Sequence, residues 1–109
     1  MISRELLNEV LGFIPIEITF EDNVCIAWEQ KLKASDRLVN GHEINTHELS
    51  YILKKWAWGK LGYEIVQYVD VVKVLSGSKE LYESVYDIEY DVNEIIKAAQ
   101  WIYDKNFKA

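Results

Sequence analysis

The residues of this chain best equipped for chemistry are two histidine–glutamate pairs, His42-Glu43 and His47-Glu48, one cysteine, Cys25, and a run of carboxylates within residues 82–91. A helical metal site sets its histidines four residues apart, so that both imidazoles leave one face of the helix. Here the spacing is five, and Asn45 lies between the two as a helix-starting residue, which assigns His42 to a loop and His47 to an exposed first turn. No metal site is expected. Cys25 stands in the apolar run Val24-Cys25-Ile26-Ala27-Trp28, where a thiol packs as a small hydrophobe, and only the same two histidines could activate it or a serine. Ser76-Gly77-Ser78 has a single glycine and leads into no helix, so it lacks the amide cradle of a phosphate loop. Neither catalysis nor a cofactor is expected.

The carboxylates have a different pattern. Tyr82, Tyr86, Ile88 and Tyr90 alternate at strand period with Glu83, Asp87, Glu89 and Asp91, which makes a strand with one aromatic and one acidic face. Acids standing side by side repel one another unless they meet water or a basic partner. Tyr82, Glu83, Tyr86, Asp87 and Glu89 are therefore the expected partner-binding residues, the aromatic side packing inward and the acidic side facing out. Edge protection against aggregation is the competing use of such charges.

The 109 residues, 50% hydrophobic and 28% charged, fit a single domain, 1–109, with one core. A net charge of −6 argues against a nucleic-acid or anionic membrane surface and favours a basic protein partner. Lys31, Lys33, Arg37, Lys54, Lys55 and Lys60 make the middle of the chain locally basic, which argues against DNA mimicry as well. One cysteine allows no internal disulfide and suits a reducing cytoplasm, and neither a signal peptide nor a membrane-spanning run is expected.

The elements that must position these residues follow from caps and periodicity. Ser3 caps a first helix burying Leu6, Leu7, Val10 and Leu11, which stops at Gly12. Ile14 to Phe20 alternate, Asp22-Asn23 turns, and the apolar run ending at Trp28 completes a hairpin. Residues 29–43, Glu29 through Glu43, read as a connecting loop and a second place where binding could reside, with an unrecognised strand around Leu38-Val39 as the alternative. Asn45 and Glu48 form a capping box, Ile44 and Leu49 its hydrophobic staple, and the helix they open ends at Gly62. Residues 64–75 are apolar on both phases, which predicts a strand covered on both sides or bulged near Asp70. After the acidic strand, Asp91 and Glu94 form a second box, stapled by Tyr90 and Ile95, for a last helix burying Ile95, Ile96, Ala99 and Ile102. The expected fold is α+β in the order α-β-β-α-β-β-α, a four-stranded, mainly antiparallel sheet with its helices on one face.

Ile44-Asn45-Thr46-His47-Glu48-Leu49, followed by Lys54-Lys55-Trp56-Ala57 and Gly62-Tyr63, resembles the helix starts and endings of small phage and prophage proteins of bacteria. Glu9-Val10-Leu11 and the final helix around Trp101 resemble their two ends. The resemblance covers about half the chain, rests on caps and core positions, and implies a small phage accessory protein in the bacterial cytoplasm without an active site. With the acidic strand, it points to a non-enzymatic protein-binding module, such as an inhibitor of a host defence protein or of a toxin. The alternative is a homo-oligomeric, possible homodimer-forming assembly protein that buries residues 69–75, Val69 through Leu75, against a symmetry mate.

Overall fold

A computed structural model describes residues 2–86 and 91–108. In chain order the elements are α1 (Arg4–Leu11), β1 (Glu17–Glu21), β2 (Val24–Lys31), β3 (Leu38–Asn45), α2 (Thr46–Leu61), β4 (Glu64–Gln67), β5 (Val71–Ser76), β6 (Lys79–Val85) and α3 (Asp91–Asn106). The strands pair as two separate three-stranded antiparallel sheets, β1-β2-β3 and β4-β5-β6. This overturns the single four-stranded sheet and the order α-β-β-α-β-β-α. A three-stranded meander followed by a helix occurs twice.

Two misread segments account for the difference. Residues 29–43 are mostly strand: β2 continues to Lys31 and pairs with β3 through Gln30–Val39 and Lys31–Leu38, so the strand around Leu38-Val39 is the alternative that forms. The intervening turn is closed by Leu32 N–H donating to the Arg37 carbonyl at 2.8 Å, with Asp36 left-handed at φ 54°. Gly41 is a poor strand former in isolation and enters β3 through its pairing with Trp28, whereas Asn40, left-handed at φ 57°, has no partner in the register. The second segment, residues 64–75, is a hairpin, its turn held by Tyr68 N–H on the Val71 carbonyl at 2.8 Å. In β4 the buried position is odd-numbered Ile65, and in β5 the buried positions are even-numbered Val72 and Val74. A turn that switches the inward phase from odd to even makes two one-sided strands resemble one strand buried on both sides.

The helix termini are where local chemistry places them. Ser3 Oγ accepts from Leu6 N–H at 3.1 Å, and Gly12, at φ 85°, ends α1. Asn45 Oδ1 accepts from His47 N–H at 2.9 Å to open α2. Gly62, at φ 70°, closes it, with its own N–H on the Trp58 carbonyl and Tyr63 N–H on that of Ala57. Leu49, Leu53 and Ala57 form the buried stripe of α2, and α2 is the element that reaches both sheets, touching β2 and β3 on one side and β4 on the other. α3 covers β4, β5 and β6 with Ile95, Ile96, Ala99 and Ile102 buried, and α1 packs on α2. One continuous apolar cluster runs from Leu6 and Leu7 through Cys25 and Ala27 to Val72, Val74 and Ile96.

The molecule measures 53 × 31 × 20 Å, a depth that fits one layer of helices on one layer of strands. Its radius of gyration, 14.9 Å, exceeds the value of about 13 Å for a rounder chain of this length. No helix among the described residues is long and apolar enough to cross a membrane.

On the outer face of the first sheet the Trp28 ring lies across Gly41, and its Nε1 donates to Thr19 Oγ1 at 2.9 Å. A Cβ on residue 41 would stand 2.9 Å from Ile26 Cγ2 and 2.9 Å from Trp28 Cζ3. Gly41→Ala is therefore expected to cost about 1–3 kcal/mol, with the indole displaced. Asn45→Ala should cost about 0.5–2 kcal/mol through the lost cap. Chemical denaturation measures both, and an unchanged midpoint for Asn45→Ala would mean that the Asn45 side chain does not support the start of α2.

Candidate partner-binding surface

Alternation sorts the residues of the second sheet onto two faces. On the inner face, Tyr82 pairs with Val74 across the ladder and sets its ring 5.1 Å from that of Trp101 on α3. Ser84 Oγ donates to Glu94 Oε2 at 2.7 Å, and Lys97 Nζ donates to Glu94 Oε1 at 3.1 Å. Glu94 is thus a buried carboxylate that ties β6 to α3, a role the capping-box reading did not foresee. Tyr86 is buried, its hydroxyl donating to the Tyr68 carbonyl at 2.8 Å and accepting from Gln67 Nε2 at 3.3 Å. Of the two tyrosines expected at a partner surface, Tyr86 locks the β4–β5 turn and Tyr82 packs on a helix.

The outer face carries Val66, Lys73 and Glu83 in one cross-strand row and Val71 and Val85 in the next. Val85 is 72% exposed and Val69, in the adjoining turn, 71%. Tyr68, half exposed, lies beneath Lys73, whose Nζ is 5.8 Å from the ring centre and 3.4 Å from Glu80 Oε1. A hydrogen bond with the Glu80 side chain, reinforced by the Glu80 charge, holds the Glu83 carboxyl above its ordinary pKa, and Lys73 works in the opposite direction. Two carboxylates therefore crowd around one ammonium beside an exposed apolar strip. The register shift between Val74 and Leu75 sets Glu80 opposite Leu75 and brings it to this cluster. Asp87 and Glu89, the other two expected binding residues, lie outside the described residues, as does Tyr90 of the second capping box.

The remaining candidates occupy separate places. His42 is on β3, not in a loop; its Nε2 is 3.0 Å from Glu29 Oε2 and its ring 4.7 Å from that of Phe13. His47 is exposed in the first turn of α2. Among the described residues no three metal-ligating side chains converge. Cys25 is 1% exposed between Phe20 and Ile44 on the neighbouring strands, and burial pushes its thiol up to about 11.

Tyr68 and Val85 are surface residues that the sequence reading did not single out, and Val69 entered it only as one end of the segment expected to meet a symmetry mate. Asp70 was the available signal, a turn-forming residue in the middle of a β-branched run, where a reversal would expose its neighbours. Comparison with protein-family models, with curated proteins and with solved structures finds no match.

Cys25 should be inert in the folded chain. A thiol-specific reagent at pH 8 is expected to modify it slowly in buffer and rapidly in denaturant. Because the folded thiol has the higher pKa, its contribution to stability is complete below the ordinary value of 9.0 and declines as pH rises from there toward 11. Cys25→Ala should remove that part of the alkaline decline, and a rapid native reaction would show the thiol to be accessible.

Proposed function

We propose that this chain is a non-enzymatic protein-binding module that docks a basic partner on the uncovered face of its second sheet. The observation that carries this reading is the strip of exposed Val69 and Val85 with half-buried Val71, beside the crowded Glu80 and Glu83 carboxylates. Burying the valines removes apolar surface from water, while a basic side chain from the partner relieves the repulsion between the acids. Charge of this kind acts mostly on the association rate and on the choice of partner. The resemblance to phage proteins and the buried, unpaired thiol support a phage accessory protein of the bacterial cytoplasm, acting as an inhibitor of a host defence or toxin protein.

Self-association is the second reading, since Val69, Val71 and Leu75 remain available to a symmetry mate while Val72 and Val74 are taken by the chain's own core. An isologous dimer on this face would bring two copies of the crowded acid pair into one interface, which favours a basic partner instead.

Affinity capture from the bacterial host with wild-type chain, Val85→Asp and Glu83→Lys tests the reading. Both side chains point to solvent, so the variants should fold with stability changed by less than about 0.5 kcal/mol. Each should weaken capture of the same protein by about tenfold or more, Glu83→Lys mainly through slower association and a smaller salt dependence. Sedimentation equilibrium should give a monomer. Capture indifferent to both substitutions, or a dimer that Val85→Asp dissolves, would refute it.

A further inference from the structure

On the opposite charge sign, α2 carries a surface that the acidic sheet face does not explain. Tyr51, Lys54, Lys55 and Trp58 recur at i, i+3, i+4 and i+7 and so share one flank of the helix, turned away from the buried Leu49, Leu53 and Ala57. Trp58 is 63% exposed and Tyr51 60%, with Lys55 Nζ 5.6 Å from the Tyr51 ring centre. Beside this flank runs a groove of about 420 Å³, lined by Lys54, Lys55 and Trp58 on the helix and by Glu64 and Ile65 on β4.

Three features of the groove converge on one kind of occupant. Its floor is apolar, since Ile65 and the Trp58 indole supply an anchor site for a hydrophobic side chain. Its helical wall is basic: in a chain with 18 acidic residues, neither Lys54 nor Lys55 forms an ion pair among the described residues, and the lining sets two ammonium groups against one carboxylate. Its other wall, β4, pairs with β5 alone among the described residues, an edge position at which Glu64 and Ile65 can take an extended backbone alongside.

We propose that the groove between α2 and β4 binds an extended, acidic segment of a partner protein. One apolar side chain of the segment lies between Trp58 and Ile65, and carboxylates on either side of it pair with Lys54 and Lys55. The chain then has two recognition surfaces of opposite sign, one on sheet β4-β5-β6 and one on α2. This inference does not depend on the proposed function, because the two surfaces carry different residues and can be disabled separately.

The probe is an array of 12-residue peptides with a central Leu, Ile, Phe or Trp flanked by Asp or Glu, paired with counterparts flanked by Lys. Acid-flanked peptides should bind, with affinity falling as salt rises, and lysine-flanked ones should bind at least tenfold more weakly. Trp58→Ala should reduce binding about tenfold, and the double charge reversal Lys54→Glu, Lys55→Glu should invert the preference toward lysine-flanked peptides. That inversion is a gain of binding, which a misfolded variant could not give, and circular dichroism checks the fold of each. Amide shifts in an NMR titration should centre on Tyr51, Trp58 and residues 64–67. The proposal is overturned by absence of binding, by binding that ignores Trp58→Ala, by an unchanged preference after charge reversal, or by shifts centred on Glu83 and Val85. A dimer in sedimentation that Trp58→Ala dissolves, or tighter binding of a single-stranded oligonucleotide through the same residues, would equally replace it.

Discussion

Among the described residues no strand pairing joins the two sheets, so the burial of one helical stripe holds them together. Leu49, Leu53 and Ala57 of α2 have no accessible surface and belong to the cluster that also contains Ala27 of the first sheet and Ile65 of the second. A cavity at a fully buried leucine costs about 2–5 kcal/mol, a large part of the stability of a domain this size. Here the loss would be felt on both sides at once. The caps at Asn45 and Gly62 fix where that stripe begins and ends, and with it which residues of α2 are left to solvent.

Covering each sheet with helices on one face has a second effect, which is to make the polar contacts between layers few and specific. Glu94 is the clearest of them, a carboxylate held by Ser84 from the sheet and by Lys97 from its own helix. Burying a charge is unfavourable unless its oxygens are bonded, and both are. Trp56 is the contrasting position: its ring packs against Tyr103 and Phe107 of the C-terminal region, while its Nε1 is buried without an acceptor among the described residues. An orphan indole donor there costs roughly 1–3 kcal/mol, which the packing of three aromatic rings offsets.

Helix ends were legible in the sequence because each depends on a few consecutive residues: Ser3, Gly12, Asn45 and Gly62 all act where their chemistry suggests. The sheets were not. Whether Gly41 is loop or strand is decided by its partner Trp28 on β2, on the far side of a turn, and no local pattern contains that information. The break at Asp70 was hidden differently, since two strands with opposite inward parity add up to a run that is apolar throughout. The candidate surface inherits both limits. Alternation alone places Glu83 outward and Tyr82 inward, whereas the exposure of Tyr68, Val69 and Val85 follows from the hairpin and could not be seen without it. The basic flank of α2 is visible as Lys54 and Lys55 in a locally basic stretch, but the groove beside it exists only once β4 folds back along the helix.

Every strand in this fold pairs with its immediate neighbour in the chain, which bears on how the molecule assembles. Contacts between consecutive hairpin arms close short loops, lose little chain entropy and form within about 1–10 μs, so each meander can zip up without waiting for the other. The long-range packing is then left to the helices, α2 and α3 onto the sheets and α1 onto α2. Of these, α1 ties the two ends of the chain together: its Ser3 N–H donates to Gln100 Oε1 at 2.8 Å across a separation of 97 residues, and its Leu6 and Leu7 are buried in the core. The N-terminal helix is thereby a clasp between the ends of the chain, one whose release would uncover Leu6 and Leu7 without breaking a strand pairing in either sheet.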